Sequence, residues 1–182
     1  MARIHILGAS GSGTTTLGTT LAAKLSCAHI DADTLFWLPT DPPFTTRRDR
    51  DERQALLLQR LPANGSWIFS GSATGWSVPI EPFFDLIVFL NLDPAIRMAR
   101  LRVRETERYG DRIVGTGDMA EASAAFLDWA QSYDTAGAEI RSRVAHEDWL
   151  AAQRAPILRL DSQTPLEHLV SAVLARCDLP DL

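Results

Sequence analysis

Cysteine is scarce in this chain: there are only Cys27 and Cys177, and neither has a second cysteine or a histidine at metal-ligand spacing. That argues against a zinc framework and predicts two reduced thiols in or near the core, as in a reducing compartment. Long apolar runs are missing too, so no segment reaches membrane-span length. The opening Met-Ala-Arg-Ile-His-Ile-Leu lacks a basic-plus-apolar signal region. Nor is there a positive surplus: the formal net charge is -5 over 182 residues, which disfavours a nonspecific nucleic-acid binder. The expectation is a cytoplasmic protein with neither a nucleic-acid nor a membrane partner. Lysine is almost absent as well, Lys24 being the only one among 18 basic residues.

What is present has the balance of a globular domain, 46% hydrophobic and 23% charged, and the sequence predicts one domain over 1–182. Arg3 to Leu7 reads as a buried strand ended by Gly8. Thr14 to Leu25 follows as a helix with Leu17, Leu21 and Leu25 as its inward stripe. Further strands are expected at Ala28 to Asp31, Ser66 to Ser70, Asp85 to Leu92 and Pro156 to Leu160. Between them, a charged helix runs from about Arg47 to Leu61 and stops at Pro62-Ala63-Asn64-Gly65. Asp93-Pro94 opens another helix, with Asp as N-cap and Pro at the first helical position. Asp118 and Glu121 have capping-box spacing for the next one. A helix from about Pro165 to Arg176 closes the pattern. Strands alternating with helices give an α/β doubly wound domain with a parallel sheet.

Gly8-Ala9-Ser10-Gly11-Ser12-Gly13-Thr14-Thr15 matches G-x-x-x-x-G-K-[ST] except at Thr14, where the lysine belongs. Glycines there let the main chain wrap a phosphate with inward N–H groups, and the following helix, through Thr16, adds unpaired amides and its dipole. Thr15 stands at the hydroxyl position that ligates Mg²⁺. Lys24 cannot replace the missing lysine, because ten helical residues carry it roughly 15 Å along the axis. A substitute cation must be an arginine from elsewhere in the chain.

The P-loop, the Asp31-Ala32-Asp33 pair after the second strand and the Arg-rich helix after the fourth resemble the adenylate-kinase/shikimate-kinase group of P-loop kinases. The chain is especially similar to small bacterial proteins labelled adenylate-kinase-related, AAA-type ATPase or topology-modulation proteins. The resemblance implies a P-loop NTPase fold with a five-stranded parallel sheet of order 2-3-1-4-5. It also implies ATP and Mg²⁺ as ligands, a small-molecule phosphoryl acceptor and a helical lid at about 100–130. It departs from the group at Thr14 and at Ser70, where nucleotide kinases carry an acid before glycine.

By the same resemblance, Asp31 and Asp33 bind the acceptor, and Asp33 accepts its proton and holds Mg²⁺ through water together with Thr15. Arg100, Arg104 and Arg108, every fourth residue on one helix face, are lid arginines with Arg112, and Arg104 and Arg108 serve transfer. The acceptor side spans about 33–62, with Trp37, Arg47, Arg48 and, from strand three, Ser72. The bland alternatives are helix-capping aspartates, a solvated arginine face paired with Glu105, Glu107 and Asp111, and aromatic core packing. His5 is expected as a core histidine, and no role is assigned to His29, His146 or His168. The functional expectation is transfer of the ATP γ-phosphoryl group to a small acceptor. The alternatives are a catalytically impaired nucleotide-binding regulator and a PAPS-dependent sulfotransferase, the last suggested by Ser12-Gly13-Thr14-Thr15. The oligomeric state is not legible in the sequence.

Overall fold

The computed structural model describes residues 1–62 and 64–177. Five strands, β1 (Arg3–Gly8), β2 (Ala28–Asp31), β3 (Trp67–Ser70), β4 (Leu86–Asn91) and β5 (Ile157–Asp161), form one parallel sheet in the order β2-β3-β1-β4-β5. Fold class and strand order are those expected from the sequence. The register pairs Asp31 with Ser70, Gly8 with Leu90 and Asn91 with Asp161, which aligns these strand ends on one carboxyl edge. In an open α/β sheet, ligands bind outside that edge.

Among the described residues, seven α-helices connect and flank the strands: α1 (Thr14–Leu25), α2 (Ala32–Phe36), α3 (Arg50–Arg60), α4 (Pro94–Tyr109), α5 (Ala120–Gln131), α6 (Arg143–Ala151) and α7 (Leu166–Cys177). Side chains alternate along the central strands, so each face carries its own core. Ile4 and Ile6 of β1 and Val88 and Leu90 of β4 pack with Leu17 and Leu21 of α1 and with α7. Leu7, Phe69, Ile87 and Phe89 face the opposite way, against Leu35, Leu57, Trp76 and Leu150. His5 lies in this second layer, buried and stacked on Phe69 and Phe84, each with ring centroids 5.0 Å away. A third, smaller core joins Met98 and Leu101 of α4 to Ala130 of α5 beyond the sheet. Cys27 and Cys177 are partly buried against the α1/α7 layer.

Two helix starts differ from the sequence expectation. Helix α3 begins at Arg50 rather than about Arg47, because the Asp49 carboxylate caps the Asp51 N–H at 2.8 Å and Arg47 is held extended in a bridge to Trp37. The Asp118–Glu121 capping box does not form. Both Asp118 oxygens are taken by Arg112, and α5 starts after Met119 with no side-chain cap. Part of the expected stop at 62–65, Ala63, lies outside the described residues. No helix among the described residues is long and apolar enough to cross a membrane.

Candidate active site

The loop between β1 and α1 curls rather than extends. Gly11 (φ 85°) and Gly13 (φ 90°) adopt left-handed backbone, and the Ser12 N–H donates to the Ala9 carbonyl at 3.1 Å. Gly13 is the N-cap of α1 and brings no side chain, so the first-turn amides have no capping partner. Ser12 tucks under the loop instead of into it: its side chain is buried, and a Cβ on Gly8 would meet Ser12 Oγ at 2.5 Å. Ser162, just past β5, donates to the Ser12 carbonyl at 2.5 Å and ties the loop to the far strand. The result is a curled loop that leads into a helix N-terminus without a side-chain cap, an arrangement suited to an anion.

The two aspartates after β2 divide their tasks. Asp31 Oδ2 accepts from Thr15 Oγ1 at 2.6 Å, while its Oδ1 caps α2 by accepting from the Asp33 N–H at 2.9 Å. Thr15 is therefore joined directly to Asp31. Ser70 occupies the strand-three position where an acid was missed, and it is buried against His29 Nε2 at 2.9 Å.

Asp33 faces the arginines. Although Asp33 reaches solvent, the crowd of neighbouring groups desolvates its carboxyl and pushes its pKa up, and Asp31 adds to this, while Arg141, Arg104 and Arg108 pull it back down. The ionised form is thus penalised on balance, and the folded chain holds the proton more tightly than the unfolded one. The contribution of Asp33 to stability then falls as pH rises through the ordinary carboxylate range. Asp33→Asn is expected to melt higher than wild type at pH 7, with the gap closing below about pH 4. Thermal melts across that range check it; a variant melting lower at pH 7 contradicts the assignment.

Among the arginines, the sequence reading missed the one nearest the cradle. Arg141, in the turn before α6, donates from Nη2 to Ser10 Oγ at 2.7 Å across 131 residues of chain. Its guanidinium lies over Trp129 at 4.5 Å, and its charge couples to Asp33, Tyr133 and Arg104. Arg104 is partly buried, over Phe126, with its Nε–H unpartnered and its charge facing Asp33. Arg108 stacks on Phe44 at 3.9 Å and touches Glu105 at 3.6 Å, and Arg100 is exposed. Arg112 is consumed by carboxylates, gripping Asp118 with two bonds and Asp41 at 2.8 Å. Tyr109 donates to the Pro43 carbonyl at 2.9 Å, so the C-terminal end of α4 is latched to the proline-rich loop at three points.

On the other flank, Trp37 packs edge-on against Phe36 and Phe44, and Arg47 lies over the Phe36 ring. Arg48 is structural in this conformation, donating from Nε to the Leu35 carbonyl at 3.0 Å. Arg53 was not singled out by sequence; it is sandwiched over Phe36 (4.3 Å) and Trp76 (5.8 Å). Ser72, two residues past β3, is bonded to His146 Nε2 at 2.9 Å. A shallow recess of about 410 Å³ opens on the opposite side of the cradle, lined by Asn91, Arg143, Arg159, Asp161 and Gln163 among others.

This sheet order, loop and edge define a chain with the P-loop kinase fold. Solved structures agree at the level of fold: a shikimate kinase from Bacteroides thetaiotaomicron matches with TM-score 0.58 and 19% identity, covering 98% of this chain and 99% of that one. A gluconokinase from Sinorhizobium meliloti 1021 matches with TM-score 0.54 and 18% identity, over 96% of this chain and 90% of that one. No protein-family model matches the chain. The chain belongs to the family of the uncharacterized protein YqaC of Bacillus subtilis (strain 168), to which it is 44% identical over 171 residues, 94% of each protein.

Proposed function

We propose that this protein is an ATP-dependent phosphotransferase that moves the γ-phosphoryl group to a small acceptor, with Arg141 supplying the charge that a P-loop lysine normally brings. The observation that carries this reading is the bond from Arg141 to Ser10 in the cradle, beside Asp33 and Arg104. Main-chain amides of 8–15 bind the β- and γ-phosphates. The nucleoside end extends toward the recess beside Asn91 and Gln163. Arg141 and Arg104 neutralise charge on the transferring group, a task for which guanidinium forks suit phosphate oxygens.

The Thr15 hydroxyl and Asp31 carboxylate already touch, and together they form a hard oxygen pair of the kind Mg²⁺ accepts alongside phosphates and water. When bound, the ion would lower the charge on the β- and γ-phosphates. Asp33 accepts the acceptor hydroxyl's proton, for which its raised pKa makes it a better base than an ordinary aspartate.

The test is direct. Calorimetry with ATP–Mg²⁺ and ADP should give saturable binding, and γ-labelled ATP offered with a panel of small hydroxyl- and phosphate-bearing compounds should yield one labelled product. Binding without any transferred label would favour the other reading, a nucleotide-binding regulator. Ser70 in place of the strand-three acid is the observation on that side. No nucleotide binding at all would end both.

A further inference from the structure

Three residues from separate parts of the chain form a hydrogen-bonded line into the cleft. Tyr133, in the turn after α5, bonds to His146 Nδ1 at 2.8 Å, and His146 Nε2 bonds to Ser72 Oγ at 2.9 Å. Tyr133 and His146 are buried, whereas Ser72 is only partly covered. Ser72 follows Gly71, where a Cβ would meet that of Ala32 between the two aspartates at 2.9 Å, so it stands at the carboxyl edge of the sheet beside the site described above.

The direction of the protons along this line can be deduced. Burial, with Arg141, His5 and Arg143 acting in the same sense, lowers the pKa of His146 to about 3, so the ring is neutral and carries one proton. One ring nitrogen then donates and the other accepts. If Nδ1 held the proton, Tyr133 would have to donate elsewhere. Its ring is flanked by the guanidiniums of Arg97 and Arg143, which accept nothing, and His146 is its one hydrogen-bond partner among the described residues. A buried hydroxyl proton would be stranded at a cost. If Tyr133 donates to Nδ1, every proton is used: Nε2–H donates to Ser72 Oγ, and the Ser72 O–H is left to point outward.

We propose that Ser72 is a dedicated hydrogen-bond donor to an oxyanion of the acceptor molecule, its polarity set by the Tyr133–His146–Ser72 line. This rests on the phosphotransferase reading and narrows it. The acceptor carries a carboxylate or phosphate oxygen next to β3, in addition to the hydroxyl that receives the phosphoryl group. Arg141 and Arg104 give the same edge the positive field that such an anion needs. His146 and Tyr133 are positioning residues; neither touches substrate.

Nitrogen-15 NMR of histidine-labelled protein tests the proposal without any turnover. His146 is expected as the Nε2–H tautomer, and an Nδ1–H tautomer overturns the assignment. With ADP–Mg²⁺ present, inorganic phosphate and acetate are titrated in separate arms. The His146 Nε2 resonance should move saturably with at least one of them, and the arm that works identifies the oxyanion as phosphate or carboxylate. Ser72→Ala should abolish that movement while leaving ADP affinity within twofold of wild type, and Tyr133→Phe should mix the two tautomers. A resonance that moves only with a non-hydrolysable ATP analogue, or with nothing, overturns the proposal. ADP affinity, read separately, reports whether the nucleotide reading itself has failed.

Discussion

Replacing Arg141 with alanine is expected to lower the rate of phosphoryl transfer by about 10²–10³-fold, the effect of removing one preorganised donor from a developing anion. The argument is positional. Thr14 brings no charge to the cradle, Lys24 stands in the last turn of α1 at the far end from the loop, and Arg112 is neutralised by Asp118 and Asp41. Arg108 is committed to the face of Phe44. Arg141 alone of the arginines described above is bonded to the loop itself.

A second substitution makes the claim sharper. Thr14→Lys in the wild-type background should give no gain, because the guanidinium already fills the charge requirement. The same change in the Arg141→Ala background should recover at least about tenfold, or about 1.4 kcal/mol of barrier. Single-turnover transfer from labelled ATP measures all four proteins. A large gain from Thr14→Lys alone would instead mark a decayed cradle and remove Arg141 from its role.

The other large effect concerns acid. His5 and His146 are both fully buried, and burial lowers their pKa values to about 4 and about 3. Each is neutral when folded and picks up a proton near pH 6.5 when unfolded, so the unfolded chain binds more protons below that point. The stability they contribute is complete above pH 6.5 and is lost as pH falls toward 4. Two protons give a slope approaching about 3 kcal/mol per pH unit in the middle of that interval and a loss of about 5 kcal/mol across it, on the scale of a whole domain's stability.

Urea midpoints should therefore drop steeply across that interval. His5→Phe, which keeps a ring between Phe69 and Phe84, should roughly halve the slope. A flat profile from pH 6.5 to 4.5 would show that neither ring is held neutral.

The sequence displayed the frame of this molecule because local and tertiary signals coincide there. Thr14–Leu25 and Ala28–Asp31 have the residue bounds that apolar spacing suggested, and Asp93 caps α4 with both the Ala95 and Ile96 amides. Local signals failed where a distant partner competed. Asp118 has the spacing of a cap, yet a bidentate guanidinium six residues back outbids a single amide. Arg141 sits in a turn with no motif around it, and only the return of the chain after α5 brings it to Ser10. His146 was given no role from sequence because its partners lie 74 residues before it and 13 residues before it. A pair of arginines, 141 and 143, on the approach to a helix with a buried histidine was the available clue.

The three-point fastening of α4 to the proline-rich loop bears on tempo. Tyr109 to Pro43, Arg108 over Phe44 and Arg112 to Asp41 join the end of α4 and the segment after it to the proline-rich loop. One of these contacts is ionic and exposed, so dissolved salt weakens it, while the other two are far less sensitive to ionic strength. Under the proposed phosphotransferase reading, a molecule so fastened would admit and discharge its cargo only as fast as the walls part, and turnover would then follow the pace of that parting.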